Sequence, residues 1–168
     1  GIGLVDKQVL SATDTEGAIA YYYEYHTGTD VVSKKIGYSS ADYSDPKNAV
    51  LTGQVFVYEF DAAGIQTAKF TYYASGVLES ATYAAADTYG NVYYHYIDEA
   101  GSLVDVQVLG SQDADGGYAY KYEYHAGTDV VSKKTVYAVG DYADAKAPVL
   151  SKRLVEYIFD ATGVQTEK

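Results

Sequence analysis

Three side chains in this sequence can exchange a proton near neutral pH, the histidines His26, His95 and His125, and no cysteine accompanies them. A serine nucleophile would need one of these rings beside it, held in turn by a carboxylate. His26 closes Tyr23-Glu-Tyr-His26 and His125 closes Tyr122-Glu-Tyr-His125, each just ahead of a glycine. A catalytic centre copied in tandem would be unusual, so both rings read as strand-end residues. Glycoside hydrolysis needs two carboxyl groups facing each other across a cleft, and among 23 acidic residues no spacing singles out such a pair. No enzyme is expected, and no catalytic residue is assigned.

Oxygen ligands gathered in a loop suit calcium, and Asp42-Tyr-Ser-Asp45 and Asp141-Tyr-Ala-Asp144 place Asp42, Asp45, Asp141 and Asp144 in that way. They lack the spacing of an EF-hand, and Asp–Ser turns form for their own hydrogen bonds. Calcium is the one cofactor the sequence offers; otherwise none is expected. The 21 tyrosines could stack on sugars, because an exposed phenol presents a flat apolar face and a polar edge. A chain with no Trp and four Phe must also build its core from something, which favours packing between strands. Lys34, Lys35, Lys133 and Lys134 read as charges guarding an edge strand.

The elements that would carry these residues come from a duplication. Tyr23-Glu-Tyr-His-Thr-Gly-Thr-Asp-Val-Val-Ser-Lys-Lys35 returns ninety-nine residues later as Tyr122-Glu-Tyr-His-Ala-Gly-Thr-Asp-Val-Val-Ser-Lys-Lys134, and Leu4 to Lys69 matches Leu103 to Lys168 without a gap. Three segments follow: 1–69 as a first β module, 70–102 as a shortened hairpin bridge, and 103–168 as the second module. Strands are expected over Gly3–Ala12, Ala18–His26, Asp30–Tyr38 and Val50–Phe60, with a loop over Ser39–Asn48. Asp-x-x-Gly turns recur at Asp14, Asp61, Asp87, Asp98, Asp113 and Asp160. Alternation places Tyr21, Tyr23, Tyr25, Tyr94, Tyr96, Tyr120, Tyr122 and Tyr124 on one face, expected to point inward. The fold class is all-β: tandem antiparallel hairpins forming an elongated sandwich- or barrel-like structure whose units gain stability by stacking.

Tyr58-Glu-Phe-Asp-Ala-Ala-Gly64, Phe70-Thr-Tyr-Tyr73 and Tyr96-Ile-Asp-Glu-Ala-Gly101 resemble the tyrosine-aspartate (YD) repeats of Rhs-type and teneurin shells. The resemblance spans about Tyr58 to Gly116 and implies strings of β-hairpins on cell surfaces or in toxin cocoons. The long insertions after His26 and His125 depart from that pattern and argue against a closed cocoon.

A formal charge of -11 repels phosphate backbones and anionic lipid, so no nucleic acid and no membrane insertion are expected. A chain without Met that opens on Gly1-Ile-Gly3 reads as an exported product whose leader was removed, or as a fragment. An extracellular or cell-surface location follows from the first of these. The expected function is structural: copies associate head to tail into a filament or surface fibre, each end completing its neighbour's sheet. Asp160-Ala-Thr-Gly-Val-Gln-Thr-Glu-Lys168 copies Asp61 to Lys69 but stops where the earlier copy runs on into Phe70. Gly1 to Val5 in turn aligns with Ala74 to Leu78. The expected assembly residues are Gly3, Leu4, Val5, Val9 and Leu10 at one end, and Val164, Gln165 and Thr166 at the other. The alternative is a carbohydrate-binding or adhesive module in which glycans meet the tyrosines.

Overall fold

Every described Asp-x-x-Gly motif folds as a type I turn closed by a glycine bulge, which fixes where each hairpin reverses. The aspartate carbonyl accepts the glycine N–H, and the aspartate N–H donates to the carbonyl four residues on, as in Gly17 to Asp14 and Asp14 to Ala18. Gly17, Gly64, Gly90, Gly116 and Gly163 close these turns at φ between 79° and 90°, a left-handed conformation that costs an L side chain energy.

The computed structural model describes residues 4–45, 48–97 and 103–168, and their secondary structure is all β. Contacts divide the chain into Gly1–Leu78 and Glu79–Lys168. The first unit contains β1 (Lys7–Val9), β2 (Ala20–Tyr25), β3 (Val32–Asp42), β4 (Val50–Phe60) and β5 (Gln66–Tyr72). Strand β6 (Leu78–Tyr83) starts at the division, and the second unit continues with β7 (Asn91–Tyr96), β8 (Val104–Leu109), β9 (Ala119–Tyr124), β10 (Val131–Asp141), β11 (Val149–Phe159) and β12 (Gln165–Glu167). Within each unit sheet order follows chain order and neighbours pair antiparallel, so each is an open meander. The duplication is structural as well: Ala20–Tyr25 reappears as Ala119–Tyr124, Val32–Asp42 as Val131–Asp141 and Val50–Phe60 as Val149–Phe159.

Two expectations about strand extent change. The first strand is short, Lys7–Val9, although Leu10 still donates to Ile19 beyond it. Strand β3 runs to Asp42 rather than Tyr38, because Ser40, Ala41 and Asp42 find partners in Thr52, Leu51 and Val50. Loop-like composition gives way to a ladder that its partner strand supplies.

A β-bulge then bends each long hairpin. The register slips between Gly37 and Tyr38 in β3 and between Val136 and Tyr137 in β10. Past the second bulge, β10 passes so close over its neighbours that a Cβ on Gly140 would stand 2.7 Å from the Ala119 methyl and 2.9 Å from Val108. The far end of the hairpin thereby covers β7 to β9. Beneath it lie Tyr93, Val106, Val108 and Ala119, with Tyr137, Tyr142 and Leu150 packed against them.

This placement corrects the expected facing of the tyrosines. Tyr21, Tyr23, Tyr25, Tyr94, Tyr96, Tyr120, Tyr122 and Tyr124 are half-buried, whereas the fully buried Ala20, Tyr93 and Ala119 occupy the opposite face. The folded-over hairpin covers only the turn-proximal end of that face, so Glu24 and Glu123 further along stay exposed.

The two copies fill equivalent space with different residues. In the first, the Phe56 ring lies against Gly37, where a Cβ would sit 2.5 Å from it. In the second, Val136 and Val155 take these places, and Gly117 stands where the first copy has Ala18, leaving room for the Val136 methyl. Large with small has been exchanged for medium with medium, which conserves volume. Gly37→Val should therefore destabilise the protein by about 1–3 kcal/mol, and adding Phe56→Val should restore part of the loss, measured by urea unfolding. Beside the bulges, Gly53 at φ 69° is matched by Lys152 at φ 58°, a left-handed lysine. Lys152→Gly should stabilise by about 1 kcal/mol, whereas Gly53→Ala, whose methyl would run into Ser39 Oγ, should destabilise.

Candidate functional site

Each turn aspartate does more than close its turn. Asp14 Oδ1 accepts the Glu16 and Ala18 amides at 2.9 and 2.8 Å, and Oδ2 accepts the Tyr21 hydroxyl at 2.6 Å. Asp87 repeats the set with Tyr89, Asn91 and the Tyr94 hydroxyl, and Asp113 with Asp115, Gly117 and the Tyr120 hydroxyl. The tyrosine stands seven residues after the aspartate each time. Asp61 and Asp160 have Ala68 and Glu167 there, and their carboxylates serve backbone amides, with Thr162 as a further donor to Asp160. Asp98 lies outside the described residues.

Burial opposes charge on Asp14, but the hydrogen bonds from Tyr21, Ala18 and Glu16 outweigh it and hold the carboxyl below the usual carboxylate range. Asp113 follows the same balance with Tyr120, and Asp87 is lowered chiefly by Tyr94. The tyrosines move the other way: the Asp14 carboxylate, with burial, pushes the Tyr21 phenol up to about 12. Tyr94 and Tyr120 are pushed up by burial and then by their aspartates.

In the Asp14 and Asp113 turns a second acidic group ties the turn to the far strands. Glu16 accepts the Tyr58 hydroxyl at 2.7 Å and pairs with Lys69 at 2.5 Å; in the second copy Asp115 accepts the Tyr157 hydroxyl and pairs with Lys168 at 3.1 Å. Burial pulls the Lys69 ammonium toward deprotonation, yet Glu16 and Tyr58 outweigh it and its pKa is raised. These links join residues 42 and 53 positions apart in sequence. One trace of them was visible: at the 99-residue offset, positions 16 and 115 stay acidic, 58 and 157 stay Tyr, and 69 and 168 stay Lys.

The lysines expected at an edge lie in β3 and β10, interior strands paired on both sides. Lys34 pairs with Glu59 and Lys133 with Glu123, while Lys35 and Lys134 sit over the Tyr21 and Tyr120 rings at 3.7 and 3.5 Å. They are cross-strand partners, not guards.

His26 and His125 each direct Nε2–H at a carbonyl, of Phe60 at 3.0 Å and Phe159 at 3.1 Å, and so tie the end of one strand to β4 or β11. His95 is different: its Nδ1 lies 2.7 Å from Asp105 Oδ1, and its cross-strand partner on β6 is Ser80. Ser80 is fully buried, so no substrate reaches its hydroxyl. The calcium candidates are turn formers: Asp42, Asp141 and Asp144 accept the Ser44, Ala143 and Lys146 amides, and Asp45 accepts the Asn48 side chain. Among the described residues no three acidic or histidine side chains gather to hold a metal.

The expected assembly residues sit on or beside the terminal strands β1 and β12, one group in each unit. Leu4 and Val5 are 52% and 56% exposed, Val9 and Leu10 are half-buried, Val164 is 60% exposed, and Gln165 and Thr166 are exposed; Gly3 lies outside the described residues. Tyr23 N–H bonds Asp6 and Leu10 N–H bonds Ile19, so in this antiparallel register the backbone groups of Lys7 and Val9 point away from β2, while the Val5 carbonyl accepts the Tyr25 hydroxyl at 2.6 Å. The equivalent groups in the second copy, on Val106 and Val108, face β7, and the Val104 carbonyl accepts the Tyr124 hydroxyl as Val5 does that of Tyr25.

No known protein family matches the chain, and no curated protein matches it.

The opposed shifts of the Asp–Tyr pairs give stability a signed dependence on pH. A carboxyl whose folded pKa lies below its unfolded value of 3.8 contributes stability above that value and loses it as pH falls through the folded pKa. A phenol raised from 10.0 to about 12 contributes below 10 and loses it as pH rises toward 12. Urea midpoints should be level between these limits and fall on both sides. Asp113→Asn should lower the plateau and flatten the acid decline; an unchanged acid limb would count against these pairs as its source.

Proposed function

We propose that this chain is a non-enzymatic structural protein of the cell exterior that assembles head to tail, the β12 edge of one copy adding to the β1 edge of the next. The observation that carries the reading is the outward backbone groups on Lys7 and Val9, whose counterparts in the second copy, Val106 and Val108, are paired with a further strand. Such an edge is a template for strand addition. A contact between two different surfaces, repeated without rotational closure, produces a filament. The resemblance to surface-displayed YD hairpins agrees with this. The turn aspartates and the Glu16 and Asp115 links would hold each hairpin rigid under load.

A second reading, a glycan-binding adhesive module, rests on a hollow of about 460 Å³ in the first unit. Val57, Phe70 and Tyr72 supply an apolar floor, and Lys34, Gln54 and Glu59 a polar rim, the combination that sugar rings use.

Light scattering separates the two. The filament reading expects particles far heavier than the 18.2 kDa chain. Val9→Pro should leave folded monomers, because it deletes an outward N–H while sparing the bonds to β2. Assembly unchanged by that substitution, or a wild-type chain that stays monomeric at all concentrations, overturns the reading. A monomer whose Tyr72 resonances shift on adding oligosaccharide would favour the second.

A further inference from the structure

The second unit contains a contact of which the first unit carries one half. Tyr142, just past β10, stacks on Tyr93 of β7 with ring centroids 5.0 Å apart and planes inclined by 17°. The Tyr93 hydroxyl donates to the Ala145 carbonyl at 2.8 Å, and its side chain is fully buried. The first unit repeats the receiving side. Val9, Ala20, Tyr38 and Leu51 stand where the second has Val108, Ala119, Tyr137 and Leu150, and Tyr43 stands where it has Tyr142. No strand in sheet order precedes β1 among the described residues, and Tyr43 is 62% exposed.

We propose that the β1 edge and the Tyr43 ring together form a docking surface for one kind of partner: a β-hairpin repeat of the β6–β7 type that presents a tyrosine at the position of Tyr93. This rests on the reading of β1 as an assembly edge and adds what that edge selects. Strand β12, Gln165–Glu167, can satisfy backbone groups but brings no ring, so it leaves Tyr43 uncovered. A β7-type strand meets both demands: hydrogen bonds to Lys7 and Val9, and an aromatic face for Tyr43. The charged residue on the edge is compatible with docking. Lys7 replaces Val106, and its ammonium is carried aside to the Ala49 carbonyl at 2.8 Å. It makes the surface less apolar than its counterpart and tunes the affinity down.

The test extends the full chain by a second copy of residues 77–102 placed directly ahead of Leu4, which reproduces the sequence that precedes Leu103. The Lys7 and Val9 amides should exchange hydrogen about tenfold more slowly or better, and Tyr43 should become resistant to nitration. Replacing the added copy's Tyr93 with Ala should return Tyr43 to reactivity. The proposal is overturned if the two amides exchange as in the unextended chain, or if Tyr43 stays equally reactive. A second arm needs no fusion: a separate peptide of residues 77–97 should bind the full chain, bind Tyr43→Ala about fivefold or more weakly, and bind Lys7→Val more tightly. Equal binding to wild type and Tyr43→Ala overturns the proposal, and this arm decides alone if the extended chain does not fold. The head-to-tail reading fails separately. If the extended chain, with its β1 edge occupied, forms filaments as readily as wild type, β12 does not use β1 even though the docking surface stands.

Discussion

A carboxylate that accepts two backbone amides and a phenol at once is the contact on which the rest depends. Asp14, Asp87 and Asp113 each fix a turn through the amides and fix the following strand through the tyrosine hydroxyl. A hairpin alone is marginal in water, and its register is set by its turn. Tying the turn to a ring on the second strand sets which face that ring occupies, and with it the face left for Ala20, Tyr93 and Ala119. The tyrosines that first suggest a core are therefore braces at its back, and Ala119, Val106, Val108 and the buried Tyr93 line the side where the long hairpin folds over.

The two copies separate what the fold demands from what it tolerates. Turn aspartates, positive-φ glycines, the acid–Tyr–Lys links and the bulges recur in both. Volumes are redistributed among Ala18, Gly37 and Phe56 on one side and Gly117, Val136 and Val155 on the other. The backbone is thus specified by polar contacts and turn chemistry, and the packing adapts to it within a fixed volume.

Fold class and turns were legible because they follow from local signals: alternation, Asp-x-x-Gly, and a gapless repeat. The extension of β3 to Asp42 was not, since Ser39-Ser-Ala-Asp42 looks like a loop until Val50 to Thr52 pair with it. The tyrosine faces were half legible. Alternation correctly separated Tyr21 from Ala20, but which side is covered depends on a hairpin arm bent by a bulge, and no periodicity announces a one-residue slip in register. The lysines were misplaced for a similar reason, because charge suggests an edge only when the strand's neighbours are unknown. The recurring Tyr43 and Tyr142 were in view as residues between calcium candidates, and their role emerges only where a ring from another strand meets one of them.

Because within each unit strands pair with their chain neighbours, most of each ladder could form in the order in which the chain is made, with little loop entropy to overcome. The cover over β7 breaks this sequence, since the Tyr93 hydroxyl waits for a carbonyl 52 residues downstream. Until that arm arrives, the face carrying Tyr93, Val106 and Val108 stays open to water and to other chains. A polypeptide threaded through a membrane or held on a ribosome would pass through that interval, and its speed sets how long the sticky face needs shielding.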